Sequence, residues 1–280
     1  MPSLRYVFAD VFTDQPLAGN QLAVFTDARD IDAETMQALA LEVGFSESVF
    51  VLPAESEGDV RIRIFTPRSE LPFAGHPVLG TAFVLGGPLQ RGEIALETGR
   101  GVVHVQLERD ESGRIVFGRM GQPTPTVEPY PDPNSLLSAL GVEASGLPVE
   151  RYDNGIPHTF VALASESDVA ALRPDVAALA DLGVFANCFA GSGRSWKLRM
   201  FAPASGVAED PATGSAVGPL ACHLSRHGLV EWGTEIEIAQ GAEISRPSTL
   251  YARAEGGNGS ITRVEVGGRV AIVARGEYRI

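Results

Sequence analysis

The chain has few cysteines, few basic residues and no long apolar run, and each shortage excludes a class of protein. Cys188 and Cys222 are the only cysteines, and no ligand-like spacing joins them, so neither a disulfide framework nor a zinc cluster is expected. We interpret both thiols as buried packing residues. No apolar run reaches the roughly 18 residues of a membrane span, and the N-terminus lacks the apolar segment of a signal peptide. These features predict a cytoplasmic protein with no membrane partner.

Basic residues are outnumbered, with 22 Lys and Arg against 35 Asp and Glu, and the formal net charge is −13. Nucleic-acid binding needs clustered cations, so it is not expected here. The acidic residues are scattered and indicate a solvated surface. A length of 280 residues with 44% apolar residues allows two soluble domains, each with its own core.

Two copies of one short pattern stand out: residues 74–82 read AGHPVLGTA and residues 208–216 read AEDPATGSA. Each predicts the start of a helix. One interpretation is an ordinary cap, in which Asp210 accepts hydrogen bonds from free amides and Pro211 occupies the first helical position. However, glycine costs a helix about 1 kcal/mol relative to alanine, and both copies carry it four positions after the polar residue. This favours the alternative, in which bare amides of the first turn bind an anion such as a carboxylate.

The surroundings of the two patterns also repeat. The tripeptide FTP at residues 65–67 precedes the first copy, and FAP at 201–203 precedes the second, about half the chain later. This indicates a duplicated domain. The helix after each copy is apolar on most sides and should be buried. The predicted fold is therefore α+β, with two similar domains, each a curled, mostly antiparallel sheet or barrel around a central helix.

We expect the domains at residues 1–122 and 135–280, with the proline-rich residues 123–134 as a linker and the last strand free to return to the first domain. Both helix N-termini would then face a site between the domains and hold an anionic substrate there.

The ordered motifs resemble the PhzF family of phenazine-biosynthesis-like proteins over essentially the whole chain. The motifs are DVF at 10–12, GNQLAV at 19–24, SES at 46–48, FAGHP at 73–77, GTA at 80–82 and DPATGSA at 210–216. The resemblance implies a diaminopimelate-epimerase-like fold, isomerase activity on a small carboxylate without a cofactor or metal, and commonly a homodimer.

The resemblance also implies roles for particular residues. In the family's isomerase member, the glutamate matching Glu47 moves a proton within trans-2,3-dihydro-3-hydroxyanthranilate, and residues matching His76 and Asp210 stand beside it. The residues that bind the substrate carboxylate match Ser46, Gly75, Gly214 and Ser215. Taken alone, Glu47 looks like a surface residue at a strand end. The resemblance instead makes it an acid/base group whose pKa an apolar cleft would raise.

Other interpretations stay open at this point. An epimerase or racemase of the same fold would use a cysteine at each helix start, and this chain has none there. A small-molecule-binding or interaction protein that kept the cleft without catalysis is a second alternative. We interpret His158 as the polar start of a strand, and His223 and His227 as structural residues near a helix C-terminus.

Overall fold

The computed structural model describes residues 3–257 and 260–280, which divide into two compact units. Unit 1 comprises the chain up to residue 121 together with residues 267–280, and unit 2 comprises residues 122–266. The helices are α1 (Ala33–Val43), α2 (Gly75–Leu89), α3 (Pro133–Leu140), α4 (Glu166–Ala171), α5 (Val176–Leu182) and α6 (Gly214–Arg226). No helix among the residues described is long and apolar enough to cross a bilayer.

The strands are numbered in chain order. They are β1 (Ser3–Val11), β2 (Asn20–Phe25), β3 (Glu47–Leu52), β4 (Val60–Phe65), β5 (Glu70–Leu71), β6 (Glu93–Thr98), β7 (Gly101–Arg109), β8 (Ile115–Gln122), β9 (Thr126–Pro129), β10 (Glu150–Asp153), β11 (Pro157–Ala162), β12 (Phe185–Ser192), β13 (Ser195–Ala202), β14 (Val207–Asp210), β15 (Glu235–Gln240), β16 (Ser248–Gly257), β17 (Ser260–Gly268) and β18 (Val270–Arg279). Residues 123–134, the predicted linker, fall within unit 2, where β9 pairs with β10.

The sheet of unit 1 is mostly antiparallel. β1 lies between β18 and β2 and pairs with β18 along its whole length, from Ser3 opposite Arg279 to Val11 opposite Val270. β2 and β3 are parallel, β3 and β4 are antiparallel, and β4 and β6 are parallel. β7 then joins β6 and β8 through antiparallel pairs. Parallel neighbours need a crossover, and α1 and α2 supply the two crossovers.

Unit 2 repeats this order. β10 and β11 are antiparallel, β11 and β12 parallel, β12 and β13 antiparallel, β13 and β15 parallel, and β15 and β16 antiparallel. The crossovers are α4 with α5, and then α6. The FTP tripeptide begins on the last residue of β4 and the FAP tripeptide on the next-to-last residue of β13, and these two strands are equivalent. The two similar domains predicted from the sequence are thereby confirmed.

Both crossover helices α2 and α6 are buried around most of their circumference. At Gly80 in α2, an added Cβ would lie 2.5 Å from Leu22 Cδ2 and 2.8 Å from Val11 Cγ2. The glycine therefore lets α2 pack closely against β1 and β2. The interpretation of Gly80 as a residue that bares amides for an anion is wrong, because strand side chains make the close approach.

The two repeated patterns occupy different places at their helix starts. α2 begins at Gly75, so His76 and Pro77 lie inside its first turn. α6 begins only at Gly214, after the N-cap residue Thr213, and Asp210 is still part of β14. Asp210 as helix cap and Pro211 as first helical residue are therefore wrong, because Asp210 pairs along the edge of β13.

Candidate active site

In unit 1, chain topology gathers three polar side chains at one edge of the sheet. Asn20 begins β2, and Glu47 begins the parallel neighbour β3, where it stands opposite Leu22. His76 lies in the first turn of α2 and is buried. The starts of parallel strands meet at one edge of a sheet, and β2 and β3 bring Asn20 and Glu47 to it.

A tight loop fixes the position of Asn20. The buried Asp10 carboxylate accepts the Leu17 backbone N–H at 2.7 Å. Phe12, Leu17 and Gly19 all have positive φ, at 65°, 69° and 68°. A Cβ at Gly19 would lie 2.4 Å from the Val11 carbonyl oxygen, so only glycine fits there. The DVF and GNQ motifs are therefore parts of one turn that orients the asparagine.

A chain of hydrogen bonds orients the His76 ring. The Ser46 hydroxyl donates to Asn20 Oδ1 at 3.1 Å, which turns the Asn20 amino group toward His76 Nδ1 at 3.4 Å. An amide nitrogen can only donate, so Nδ1 accepts and the ring proton is assigned to Nε2. This Nε2 lies 3.4 Å from Glu47 Oε2. The imidazole thus presents its N–H side to the carboxyl group.

Glu47 is a mostly buried carboxyl group, with 16% of its side chain exposed. Burial raises its pKa to about 7, and a contact with the Ser46 hydroxyl opposes that rise. Its Oε2 atom has no hydrogen-bond partner among the residues described, so the 3.4 Å approach to His76 is a contact rather than a hydrogen bond. A carboxyl group with a pKa near neutrality can both accept and return a proton.

In unit 2, two neighbours hold Asp210. The Thr213 hydroxyl donates to Asp210 Oδ2 at 2.6 Å. The Gln240 amino group donates to Thr213 Oγ1 at 2.9 Å and to the Asp210 carbonyl oxygen at 2.8 Å, while Gln240 Oε1 accepts the Thr213 N–H at 3.0 Å. Because Gln240 occupies an acceptor site on the threonine oxygen, the threonine proton is free to donate to Asp210.

The start of α6 is anchored by buried amides. Pro219 has no N–H, so it cannot donate to the Ser215 carbonyl four residues earlier. Asn154 Nδ2 donates to that carbonyl at 2.9 Å, and Gln122 Nε2 donates to the Gly214 carbonyl at 2.8 Å. Two side chains from outside the helix therefore fix its first turn.

Within the described part of the chain, the N-termini of α2 and α6 both lack a side-chain cap from the N-cap residue. Neither N-cap residue, Ala74 or Thr213, makes a side-chain capping hydrogen bond among the residues described. Free N–H groups at a helix start, together with the helix dipole, favour a bound anion. These two helix starts are the positions at which the sequence predicted that an anion binds.

His158 lies at the start of β11 and contacts a predicted site residue. It is fully buried in β11, and its Nε2 lies 3.0 Å from Ser215 Oγ. Its place at the start of a strand is as the sequence predicted, and the strand is buried from His158 to Ala162.

The sequence reasoning also missed three residues that contact the predicted site residues. Asn20 and Thr213 lie within motifs that were recognised but had no role assigned to them. Gln240 had no local signal at all. Asn20 contacts His76, and Gln240 contacts both Thr213 and Asp210. The partners in these contacts are distant in the sequence and meet only in the folded chain.

The remaining expectations concern cysteines and histidines. Cys188 and Cys222 are both free and buried, which confirms their packing role, and burial raises the pKa of each thiol to about 12. Neither is therefore a thiolate at neutral pH. His223 and His227, near the end of α6, both contact Glu150 in β10.

The predicted site residues fall into two groups, one in each unit. Unit 1 brings together Ser46, Glu47, Gly75 and His76. Unit 2 carries Asp210, Gly214 and Ser215 at the end of β14 and the start of α6.

Comparison with known proteins gives concordant results. The family model of phenazine biosynthesis-like proteins matches residues 9–276. A trans-2,3-dihydro-3-hydroxyanthranilate isomerase from Pseudomonas aeruginosa is 52% identical over 273 residues, 97% of this chain and 98% of that protein. A Bacillus anthracis phenazine biosynthesis protein of the PhzF family superposes with a TM-score of 0.89 at 24% identity, covering both chains fully. A hydroxyproline epimerase from Agrobacterium vitis shares the fold, with a TM-score of 0.65 at 12% identity over 98% of this chain and 92% of that one.

Proposed function

The chain belongs to the family of phenazine biosynthesis-like proteins and is an isomerase, and on that premise we propose that it isomerises trans-2,3-dihydro-3-hydroxyanthranilate. The reaction would move a proton from one carbon of the substrate to another. The observation that carries the proposal is the Glu47 carboxyl group, whose pKa burial raises to about 7. Such a group can act as a base and then as an acid within one turnover.

Glu47 takes the proton from carbon and returns it to another carbon. When Glu47 gains negative charge, the His76 N–H that faces its Oε2 at 3.4 Å stabilises the carboxylate. Uptake of the proton makes Glu47 a neutral carboxyl group, and its return to carbon restores the carboxylate; a pKa of about 7 keeps these two forms close in free energy at neutral pH. Asp210 is proposed to act on the same substrate, and its hydrogen bond from Thr213 fixes which oxygen it presents.

The substrate carboxylate is proposed to bind Ser46, Gly75, Gly214 and Ser215. Hydroxyl groups and backbone amides donate hydrogen bonds to an anion, and the positive ends of α2 and α6 add to the attraction. This explains how a chain with a formal net charge of −13 would bind an anionic substrate.

The assembly and location are also proposals. The homodimer that the resemblance implies predicts a solution mass of twice the 29.6 kDa chain, which light scattering on the purified protein measures. A cytoplasmic location predicts that the protein stays in the soluble cytoplasmic fraction of its own cells.

The function is tested by incubating purified protein with trans-2,3-dihydro-3-hydroxyanthranilate and following product by liquid chromatography. The proposal is supported if the parent converts the substrate, Glu47→Gln does not, and Glu42→Gln still does. Glu42 is the control because it is an exposed residue of α1 in the same unit. The alternative epimerase would instead change the optical rotation of trans-4-hydroxy-L-proline or diaminopimelate. Substrate binding without turnover would indicate a non-catalytic binding protein. Either result would contradict the proposal.

A further inference from the structure

His158 sits between two hydrogen-bonding neighbours in the core of unit 2. Its Nδ1 lies 3.3 Å from Asn187 Nδ2, and its Nε2 lies 3.0 Å from Ser215 Oγ. The three side chains come from β11, β12 and the start of α6, and His158 and Asn187 are fully buried. The ring therefore links the sheet to a residue proposed to bind the substrate.

The amide of Asn187 determines which ring nitrogen of His158 carries the proton. Asn187 Nδ2 lies 2.9 Å from the Phe185 carbonyl oxygen, which can only accept a hydrogen bond. The amino end of the amide must therefore point this way, and its second hydrogen reaches His158 Nδ1. Because Nδ1 accepts, the proton of the neutral ring is assigned to Nε2, where it donates to Ser215 Oγ.

The surroundings keep this ring neutral. Among the residues described, the groups that face it are the Asn187 amide, the Ser215 hydroxyl and the Phe185 ring, whose centroid is 6.0 Å away. None of these carries a charge, and burial lowers the pKa of His158 to about 3. The imidazole is thus a permanent neutral donor rather than an acid or a base.

We infer that His158 is a positioning residue for substrate binding, because its Nε2–H occupies an acceptor site of Ser215 Oγ and leaves the serine proton to donate to the substrate carboxylate. This inference rests on the proposed function, which assigns Ser215 to that carboxylate. A hydroxyl group that is oriented before binding loses less rotational freedom when the substrate arrives. The Asn154 hydrogen bond to the Ser215 carbonyl fixes the backbone of the same residue.

Two substitutions at His158 separate this role from simple packing. His158→Leu removes the donor, whereas His158→Gln retains an N–H near the position of Nε2. We expect His158→Leu to raise KM about ten-fold with kcat within about two-fold, since the lost interaction is made equally in the ground and transition states. His158→Gln should stay within about three-fold of the parent KM.

A double-variant cycle with Ser215→Ala tests the coupling. Ser215→Ala should raise KM about as much as His158→Leu, and the two together should do no more than Ser215→Ala alone. KM increases that multiply, or a His158→Gln variant as impaired as His158→Leu, would overturn the inference. Phe160→Leu, a buried residue on the same strand β11, is the matched control. It should lower the melting temperature without coupling to Ser215→Ala.

Nitrogen-15 NMR of labelled histidine tests the inference without any substrate, and loss of its signals in His158→Gln assigns the ring. A neutral ring protonated on Nε2 from about pH 5 to about pH 8 is expected. A ring protonated on Nδ1, or a charged ring, would overturn the inference whether or not His158→Leu folds.

If the parent does not turn over the proposed substrate, the proposed function fails separately. The same variants are then compared by their Kd for anthranilate, and an unchanged Kd in a folded His158→Leu overturns the inference.

Discussion

The buried Glu47 carboxyl group should make the protein less stable as the pH rises. Its pKa lies at about 7 in the folded chain against the usual 4.5. Each pH unit between those values corresponds to about 1.4 kcal/mol, so ionising Glu47 costs the folded state roughly 3 kcal/mol. Glu47→Gln removes that cost because glutamine does not ionise.

The sign follows from proton binding. Between about pH 4.5 and pH 7 the folded chain keeps the Glu47 proton that the unfolded chain has lost, so the free energy of unfolding falls as the pH rises. Below that window Glu47 is protonated in both states and imposes no cost. The stability of Glu47→Gln relative to the parent should therefore increase by roughly 3 kcal/mol from about pH 4 to about pH 8.

Urea unfolding at several pH values measures this difference. Both tryptophans, Trp196 and Trp232, lie in unit 2. Circular dichroism, which reports on both units, is therefore preferable to fluorescence. Glu42→Gln, at an exposed position of α1, controls for the change in net charge. A stability difference between Glu47→Gln and the parent that does not vary with pH would refute the reasoning. So would a Glu47 carboxyl carbon that titrates near pH 4.5 by NMR.

Three other substitutions have expected outcomes. Gly80→Ala should lower the free energy of unfolding by about 1–3 kcal/mol through overpacking, whereas Gly87→Ala, with open space around it, should change it by less than about 1 kcal/mol. Equal losses in urea unfolding would contradict this. Asn154→Ala leaves a buried carbonyl without its donor and should cost about 1–3 kcal/mol, while the exposed Asn134→Ala should leave the melting temperature unchanged. Thr213→Val removes the hydrogen bond to the proposed catalytic aspartate and should lower kcat about ten-fold. A parent-like kcat would contradict that role.

The features predicted correctly from the sequence are those set by local chemistry. The helix that begins after Asp32 and ends at Gly44 is capped as expected, with Asp32 accepting the Thr35 N–H and Gly44 at φ 69°. The duplication was visible because the same strand ending and helix start occur twice. The alternation of side chains along a strand and the residue preferences of turns involve only neighbouring positions. They can therefore be recognised in a single sequence.

The features that were missed depend on distant partners. Asp210 looked like a helix cap because the Asp-Pro pair is typical of one. In the structure Asp210 is instead the last residue of β14, and the helix begins only at Gly214. His158 and Ser215 are 57 positions apart, and Gln240 and Thr213 are 27 apart. Which buried polar groups meet is decided by the order of the strands, and no local pattern encodes that order.

The central claim is that Glu47 moves the proton, and the most direct measurement is proton NMR of trans-2,3-dihydro-3-hydroxyanthranilate with the parent protein and with Glu47→Gln. Glutamine keeps the size of the side chain and removes only the group that exchanges a proton. The prediction is that the parent converts the substrate and that folded Glu47→Gln, with its melting temperature checked at the same pH, does not. Undiminished turnover by Glu47→Gln would contradict the claim.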